Sequence, residues 1–226
     1  MIRHPVLPPL AAAVLCLALA GPLRAADSAA APAARPLPPP SLKAGLPLMQ
    51  ALKLRQTQRQ FSPKPLPPQL LGNLLWAANG VNRPQSGKRT APTACDWREI
   101  DVYVATADGL FLYDPPQHAL LPVLPGDLRA QCTVQRFIKP PPVVLIFVAD
   151  TDRMGESPEA DRIFYSATDT GFASQNVYLF AASEKLATVV CGMVNRNALA
   201  PAMKLRPAQK IILTQPIGYP PAAGDR

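Results

Sequence analysis

Residues 54–61 read LRQTQRQF and set two arginines, Arg55 and Arg59, four positions apart around a small hydroxyl, Thr57, with Gln56 alongside. Two readings fit. Basic residues at a helix C-terminus complement the helix dipole. Planar guanidinium forks with a short hydroxyl between them also suit the oxygens of a phosphate. Most other chemistries are poorly supplied. The chain has two histidines, His4 near the N-terminus and His118 in the turn-like PPQHAL, so a histidine-based triad has one poor base. HExxH, a Walker loop and GxGxxG are all absent from the sequence. Asp150 and Asp152 follow an apolar strand pattern, and strand-end solvation accounts for them better than a metal does. No two of the four cysteines have CxxC spacing, so a zinc site is not indicated. Cys16 lies in an N-terminal apolar run; Cys95, Cys132 and Cys191 then form an odd set that cannot all pair within one chain, and they read as packing residues. If the protein is an enzyme, a cofactor carries the hard chemistry.

The N-terminus is organised differently from the rest. A short basic start and an apolar run shorter than a typical membrane span mark residues 1–25 as a secretory leader, with cleavage near Ala25 or at the earlier small-residue triplet Ala18-Leu19-Ala20. An uncleaved anchor is the alternative. No transmembrane segment is expected after the leader leaves, and the mature protein is expected to be periplasmic or secreted. Residues 26–45 are rich in Ala and Pro and read as a flexible or extended tether. Residues 46–220 suit one domain with one sizeable core, and 221–226 form a tail. The net charge of +8 becomes +6 once Arg3 and Arg24 leave with the leader. The basic residues are scattered, with few aromatics among them, so a nucleic-acid partner is not expected. An anionic small molecule or loose contact with a membrane surface fits this charge better.

The elements follow from hydrophobic period and breakers. LPLMQALKLRQTQ fits a short amphipathic helix stopped by SPKPLPP. PPQLLGNLLWAANG begins with proline and ends in Asn-Gly, which predicts a second helix. NRPQSGKRTAPTA is a loop by composition. IDVYVATA and GLFLYD read as strands paired through the Ala107-Asp108-Gly109 turn. PGDLRAQCTVQRFI reads as helical, and PPVVLIFVAD as a central strand. A long helix is predicted from SPEAD to SEKL, with close packing at Gly171, where glycine weakens the helix. ATVVCGMV returns as a strand or extended turn, NALAPAMKL as a short helix, and KIILTQPIGYP as a closing strand. The class is α+β, one mixed sheet flanked by helices.

Four stretches taken together resemble the nitroreductase-like family of flavin enzymes, and within it the azole-forming (thiazoline/oxazoline) dehydrogenase branch and its exported relatives. LRQTQRQF is similar to the family's Arg-Arg-Ser-x-Arg-x-Phe opening. LLWAANGVNRPQSGKRTAPTA resembles its helix followed by a Gly-Lys-Arg-Thr-Ala-Pro-Ser-Ala loop. DTGFASQNVYLFAASEKLATVVCG is similar to the long central helix and the turn after it. ILTQPIGYP resembles the closing strand and Gly-Tyr-Pro. In order, the four span most of residues 48–220.

The resemblance implies a mainly antiparallel sheet, a homodimer, and FMN held at the subunit interface. It implies that Arg55, Gln56, Thr57 and Arg59 line the flavin phosphate, ribityl chain and pyrimidine edge. Pro92, Thr93 and Ala94 match a Pro-Ser-Ala segment that contacts flavin, commonly from the partner subunit. Asp96 and Arg98 stand where many relatives carry Asn and Gln, so contact at Asp96 is a departure; an ionised Asp accepts hydrogen bonds but cannot donate them. Cys191 and Gly192 match the turn whose backbone N–H faces flavin N5. Lys88 and Arg89 fit a phosphate or an anionic substrate, and equally a solvated loop. The implied activity is FMN-dependent electron transfer between a small-molecule donor and acceptor, with no side chain required as an essential acid. The alternative is a non-catalytic flavin- or ligand-binding protein on the same scaffold.

Overall fold

The computed structural model describes residues 33–135 and 141–222. The expected leader and the first part of the expected tether lie outside the described residues. In chain order the elements are β1 (Arg35–Pro36), α1 (Leu48–Leu54), α2 (Pro68–Asn79), β2 (Val81–Arg83), β3 (Lys88–Arg89), β4 (Ile100–Ala105), β5 (Gly109–Asp114), β6 (Ala119–Pro125), β7 (Val143–Asp150), α3 (Glu159–Ser183), β8 (Ala187–Thr188), α4 (Arg196–Ala202) and β9 (Gln209–Gly218).

The unbroken apolar run VVLIFVAD becomes β7, and it lies inside a seven-stranded sheet of order β1-β6-β5-β4-β7-β9-β8. All its pairings are antiparallel. Strand β7 is apolar throughout because both faces of the sheet are covered. Its alternate side chains divide between two cores. Val143, Leu145, Phe147 and Ala149 join Leu74, Leu75 and Ala78 of α2 and Ala173, Val177 and Ala181 of α3. Val144, Ile146 and Val148 face the other way, onto Leu199 of α4 and Met203 just after it. The predicted α+β class is the observed one.

Helix α2 starts with Pro68 at its first position, where a missing N–H costs nothing, and ends at Gly80, whose N–H bonds Trp76 O at 2.8 Å. Helix α1 is shorter than its pattern predicts. It stops at Leu54, and Arg55 leaves it with φ −55° and ψ 121°.

Four expectations need correction. PGDLRAQCTVQRFI is not helical across its described part. Its one helical element is a 3₁₀ turn, Arg129–Gln131, and Gly126 before it takes φ 94°. The Asp127 carboxylate accepts from both the backbone and the guanidinium of Arg129, each at 2.9 Å, which fixes a tight turn instead. Strand β6 was missed because it contains Pro122 and Pro125. Its partner β1 covers only Ala119 and Leu120, and the β5 pairing shifts register at Pro122, so the prolines sit where an absent N–H is tolerated. The tether is not free from Arg35 onward: Arg35 and Pro36 pair with β6, and Ser41 N donates to Asn73 Oδ1 at 2.9 Å. Gly171 has no close packing among the described residues; it is exposed, and a methyl group there would meet none of them within 4 Å.

Helix α3 has an inverted pattern. Its buried stripe is largely small and polar, with Ser166, Asp169, Thr170 and Ser174 among the buried positions, while Ile163, Phe164 and Phe172 are exposed. Among the described residues, no helix is long and apolar enough to cross a membrane.

Candidate functional site

The stretch after α1 is extended and runs beside β8, with Gln58 N donating to Thr188 O at 3.0 Å. Arg55 and Arg59 therefore do not share a helix face, and Arg59 does not serve the end of α1. Tyr178 of α3 organises this region. Its hydroxyl accepts from Val190 N at 3.0 Å and hydrogen bonds Thr57 Oγ1 at 3.2 Å. The Arg55 guanidinium lies over its ring, 5.5 Å from the centroid. Gln56, Thr57 and Arg59 are exposed, and Arg55 is half-buried. Among the described residues, neither Arg55 nor Arg59 has a carboxylate within 4.0 Å. Two unpaired guanidiniums, a hydroxyl and open space suit an oxyanion. Gln58, Arg59, Gln60, Pro220 and Pro221 border a cavity of about 560 Å³.

Cys191 and Gly192 close the same region. The Cys191 amide is committed to Thr214 O at 2.8 Å, so it is not the N–H available to a ligand. Gly192 is exposed, a methyl group there would meet only Leu213, at 3.8 Å, and its carbonyl accepts from Val194 N at 3.1 Å and Arg196 Nη1 at 3.2 Å. A close approach of a planar ring to this backbone is sterically free. The Cys191 thiol is buried, and burial pushes its pKa up, although the Arg59 charge acts the other way. Cys132, also buried, is pushed up to about 12, first by desolvation. Both are protonated packing thiols at neutral pH.

Pro92, Thr93, Ala94 and Asp96 form a second group. The segment from Ala94 to Asp96 is a 3₁₀ turn in which Cys95 and Asp96 take φ of 49° and 55°, and Arg98 takes 52°. Left-handed backbone at residues with a Cβ costs roughly 1 kcal/mol each, so the turn is held by its contacts. Those contacts are specific. Ala94 N donates to Asp169 Oδ2 at 2.8 Å, Thr93 Oγ1 donates to Glu99 Oε2 at 3.0 Å, and Arg98 N donates to Thr93 Oγ1 at 3.1 Å. The two departures from the family pattern pair with each other: Arg98 donates to both Asp96 oxygens, at 2.9 and 2.6 Å. That bond lowers the Asp96 pKa and raises that of Arg98.

Asp169 and Tyr178 sit nine residues apart on α3, hence roughly 14 Å along its axis and half a turn round it. Within one chain the two groups of site residues are therefore separated.

Lys88 is exposed, whereas Arg89 is half-buried and borders a cavity of about 400 Å³ with Arg98, Tyr113 and Arg153. Desolvation lowers the Arg89 pKa. Asp150 is not solvated at its strand end: it is buried, and its Oδ2 accepts from Arg206 at 2.6 Å, while Asp152 also pairs with Arg206. His118 ties the N-terminal segment down, with Nδ1 2.8 Å from Tyr113 Oη and Nε2 3.0 Å from Pro38 O.

Glu99, Asp169 and Tyr178 were missed by the sequence reading. The signal for Asp169 was a charge falling in register with Ala173 and Val177, on the face that α3 buries.

The sequence profile of the Nitroreductase family matches residues 52–219. The chain belongs to the nitroreductase family. A provisionally named nitroreductase of Methanocaldococcus jannaschii is 30% identical over 190 residues, covering 76% of this chain and 94% of the relative. The crystal structure of a provisionally named nitroreductase from Ralstonia eutropha JMP134 superposes with a TM-score of 0.80 at 42% identity, covering 84% of this chain and 90% of that one. A Desulfovibrio desulfuricans structure, described as a nitroreductase in complex with FMN, shares the fold at a TM-score of 0.56 and 21% identity, covering 80% and 90% of the two chains. In this nitroreductase-family chain, the matched span includes both groups of site residues.

Proposed function

We propose that the protein is an FMN-dependent oxidoreductase that passes electrons between a small-molecule donor and acceptor, working as a homodimer. The observation that carries this reading is the pair of guanidiniums, Arg55 and Arg59, without a carboxylate partner among the described residues, on either side of Thr57, which Tyr178 ties to Val190, two residues before Gly192. The donor set fits FMN. Arg55, Thr57 and Arg59 would hold the phosphate and ribityl oxygens, and Gly192 would pack against the ring. FMN, when bound, would supply the redox chemistry. The protein's own contribution is to hold the anionic tail, orient the ring against main chain and keep water from it.

Homodimerisation is part of the proposal. Residues 92–96 hang from Asp169, about 14 Å along α3 from Tyr178 and on the opposite side of the helix, and a second copy would bring both groups to one flavin. Exposed Ile163, Phe164 and Phe172 on α3, and Leu48, Met49, Leu52 and Leu54 on α1, supply apolar surface for that contact. The azole-forming branch and export through the N-terminal leader also belong to the proposal. Outside the cytoplasm the protein would draw on a reductant other than cytoplasmic nicotinamide cofactors, or oxidise a periplasmic compound.

A second reading, a protein that holds flavin without turnover, is favoured by the Asp96–Arg98 pair, which ties up two side chains at the expected ring contact. One experiment separates the two. The mature chain, from about Ala26, is titrated with FMN, followed by visible absorbance, and then reduced and reoxidised. Stoichiometric binding and cycling with a small-molecule acceptor support the oxidoreductase. Binding with no acceptor turnover supports the second reading, and no binding at micromolar FMN refutes both. Arg55→Ala with Arg59→Ala should abolish binding; retention in that double variant removes the cradle.

A further inference from the structure

Glu99 is wholly enclosed, at 0% exposure, and Asp169 is 3% exposed. The two carboxyls are held side by side by consecutive residues: Thr93 Oγ1 donates to Glu99 Oε2 at 3.0 Å and Ala94 N donates to Asp169 Oδ2 at 2.8 Å. Among the described residues, no Lys, Arg or His nitrogen lies within 4.0 Å of either. The cations nearby are committed elsewhere or set back. Arg98 is bound to Asp96 and Ser86 O, and Arg153 to Asp101 and Arg98 O. Arg89 of β3 borders, with Arg98 and Asp169, a cavity of only about 10 Å³, room for a single water. From the β7 end, Asp150 gives Glu99 only its amide, which donates to the Glu99 carbonyl at 2.9 Å. Two buried carboxyls without a counter-ion cannot both ionise at little cost.

Each carboxyl also carries the strained segment. Asp169 Oδ2 holds the Ala94 amide, Glu99 Oε2 holds the Thr93 hydroxyl, and Glu99 Oε1 has no partner unless it bears a proton. We propose that Glu99 and Asp169 form a one-proton latch that positions Pro92, Thr93 and Ala94 for the flavin. With one proton between them, the acid donates to the carboxylate, and the segment hangs from both α3 and the start of β4. When that proton leaves to solvent, two adjacent anions repel across the α3–β4 gap. Each anion still accepts its own bond, so the repulsion draws Thr93 and Ala94 apart and displaces the left-handed turn that follows them. Both groups are positioning residues that act through the backbone they grip. The proton leaves near neutrality, since burial and the neighbouring carboxylate raise Glu99 to about 7.

The ligand named here rests on the flavin reading, but the latch itself does not. Two measurements on the full mature chain keep them apart. In the protein without FMN, hydrogen exchange at the Ala94 amide is compared at pH 6 and pH 8.5, corrected for intrinsic rates. FMN affinity is then measured by fluorescence at the same two pH values. If only the protonated pair is competent, affinity falls by up to about 30-fold over that interval, following the competent fraction. Glu99→Gln keeps a donor toward Asp169 without titrating, and Asp169→Asn keeps an acceptor for Ala94 and gains a donor toward Glu99. Both variants should retain the pH 6 affinity at pH 8.5 and keep Ala94 protected. Any titration of FMN itself is common to all three proteins. A wild type whose Ala94 protection does not change overturns the latch, as does a Glu99→Gln variant with the wild-type pH dependence. Titrating protection with no FMN binding at either pH supports the latch and removes the flavin reading.

Discussion

Tyr178→Phe removes a single oxygen and tests how the first group of site residues is held. The ring remains under Arg55. What is lost is the acceptor for Val190 N at 3.0 Å and the partner of Thr57 at 3.2 Å. A lost hydrogen bond plus a partly buried N–H left without an acceptor costs about 2 kcal/mol together. In a domain of this size that lowers Tm by about 4–8 °C, read by calorimetry or far-UV circular dichroism. Because Thr57 and the segment 189–192 each lose one anchor, FMN affinity should also fall about tenfold, equivalent to 1.4 kcal/mol. A double-mutant cycle with Thr57→Val isolates the direct bond: the two changes should be less than additive. A Tyr178→Phe protein with unchanged Tm would refute the role given to this hydroxyl. Full additivity with Thr57→Val would leave the packing of the ring as the only link.

The remaining predictions concern stability and reactivity. The folded-state pKa of Glu99, about 7, lies above its ordinary 4.5, so the folded state binds the extra proton in between. Its contribution to stability is fully present below about pH 4.5 and is lost as pH rises to 7, by on the order of 3 kcal/mol; urea midpoints of wild type minus Glu99→Gln across this range should show that slope. Phe147→Ala at the centre of β7 should cost about 3–5 kcal/mol in urea unfolding, since the side chain is fully buried between sheet and helices; a loss under about 1 kcal/mol would mean the core is not packed this way. In the native protein a maleimide should modify Cys95, which is exposed, and spare buried Cys132 and Cys191 until denaturant is added, as peptide mass spectrometry would show.

The sheet was legible because its physics is local. An apolar run such as VVLIFVAD fits only a strand covered on both sides, and Pro68 with Gly80 marks both ends of α2. Strand β6 was not legible, since Pro122 contradicts strand propensity and is tolerated only because its neighbour β1 is two residues long. The segment 127–135 carries helix formers, but a side chain gripping its own backbone at Asp127–Arg129 outcompeted the helix. Of the site, Arg55, Thr57 and Arg59 were visible as a charge pattern. Glu99 and Asp169 were not, because a carboxyl normally signals solvent, and only the fold shows that two of them meet in the interior. The buried face of α3 is polar in its first half, at Ser166, Asp169 and Thr170, and apolar only further on, at Ala173, Val177 and Ala181, while Ile163, Phe164 and Phe172 are exposed, so the usual rule for orienting a helix misleads over the first half.

The nine-residue interval on α3 between Asp169 and Tyr178 has a consequence for how this chain can change. Substitutions within it alter packing one position at a time. An insertion or deletion of one residue would rotate everything beyond it by about 100° and shift it by about 1.5 Å. Both groups of site residues are fastened to this one helix, so such an event would misplace one relative to the other, and in a two-fold assembly it would do so in both cradles at once. The helix thus serves as a length standard, and length variation among relatives should be absent from 169–178 while its exposed positions, such as Gly171 and Gln175, vary. Surface connections such as residues 106–108, which join β4 to β5, lie away from both groups and are where added length can be accommodated.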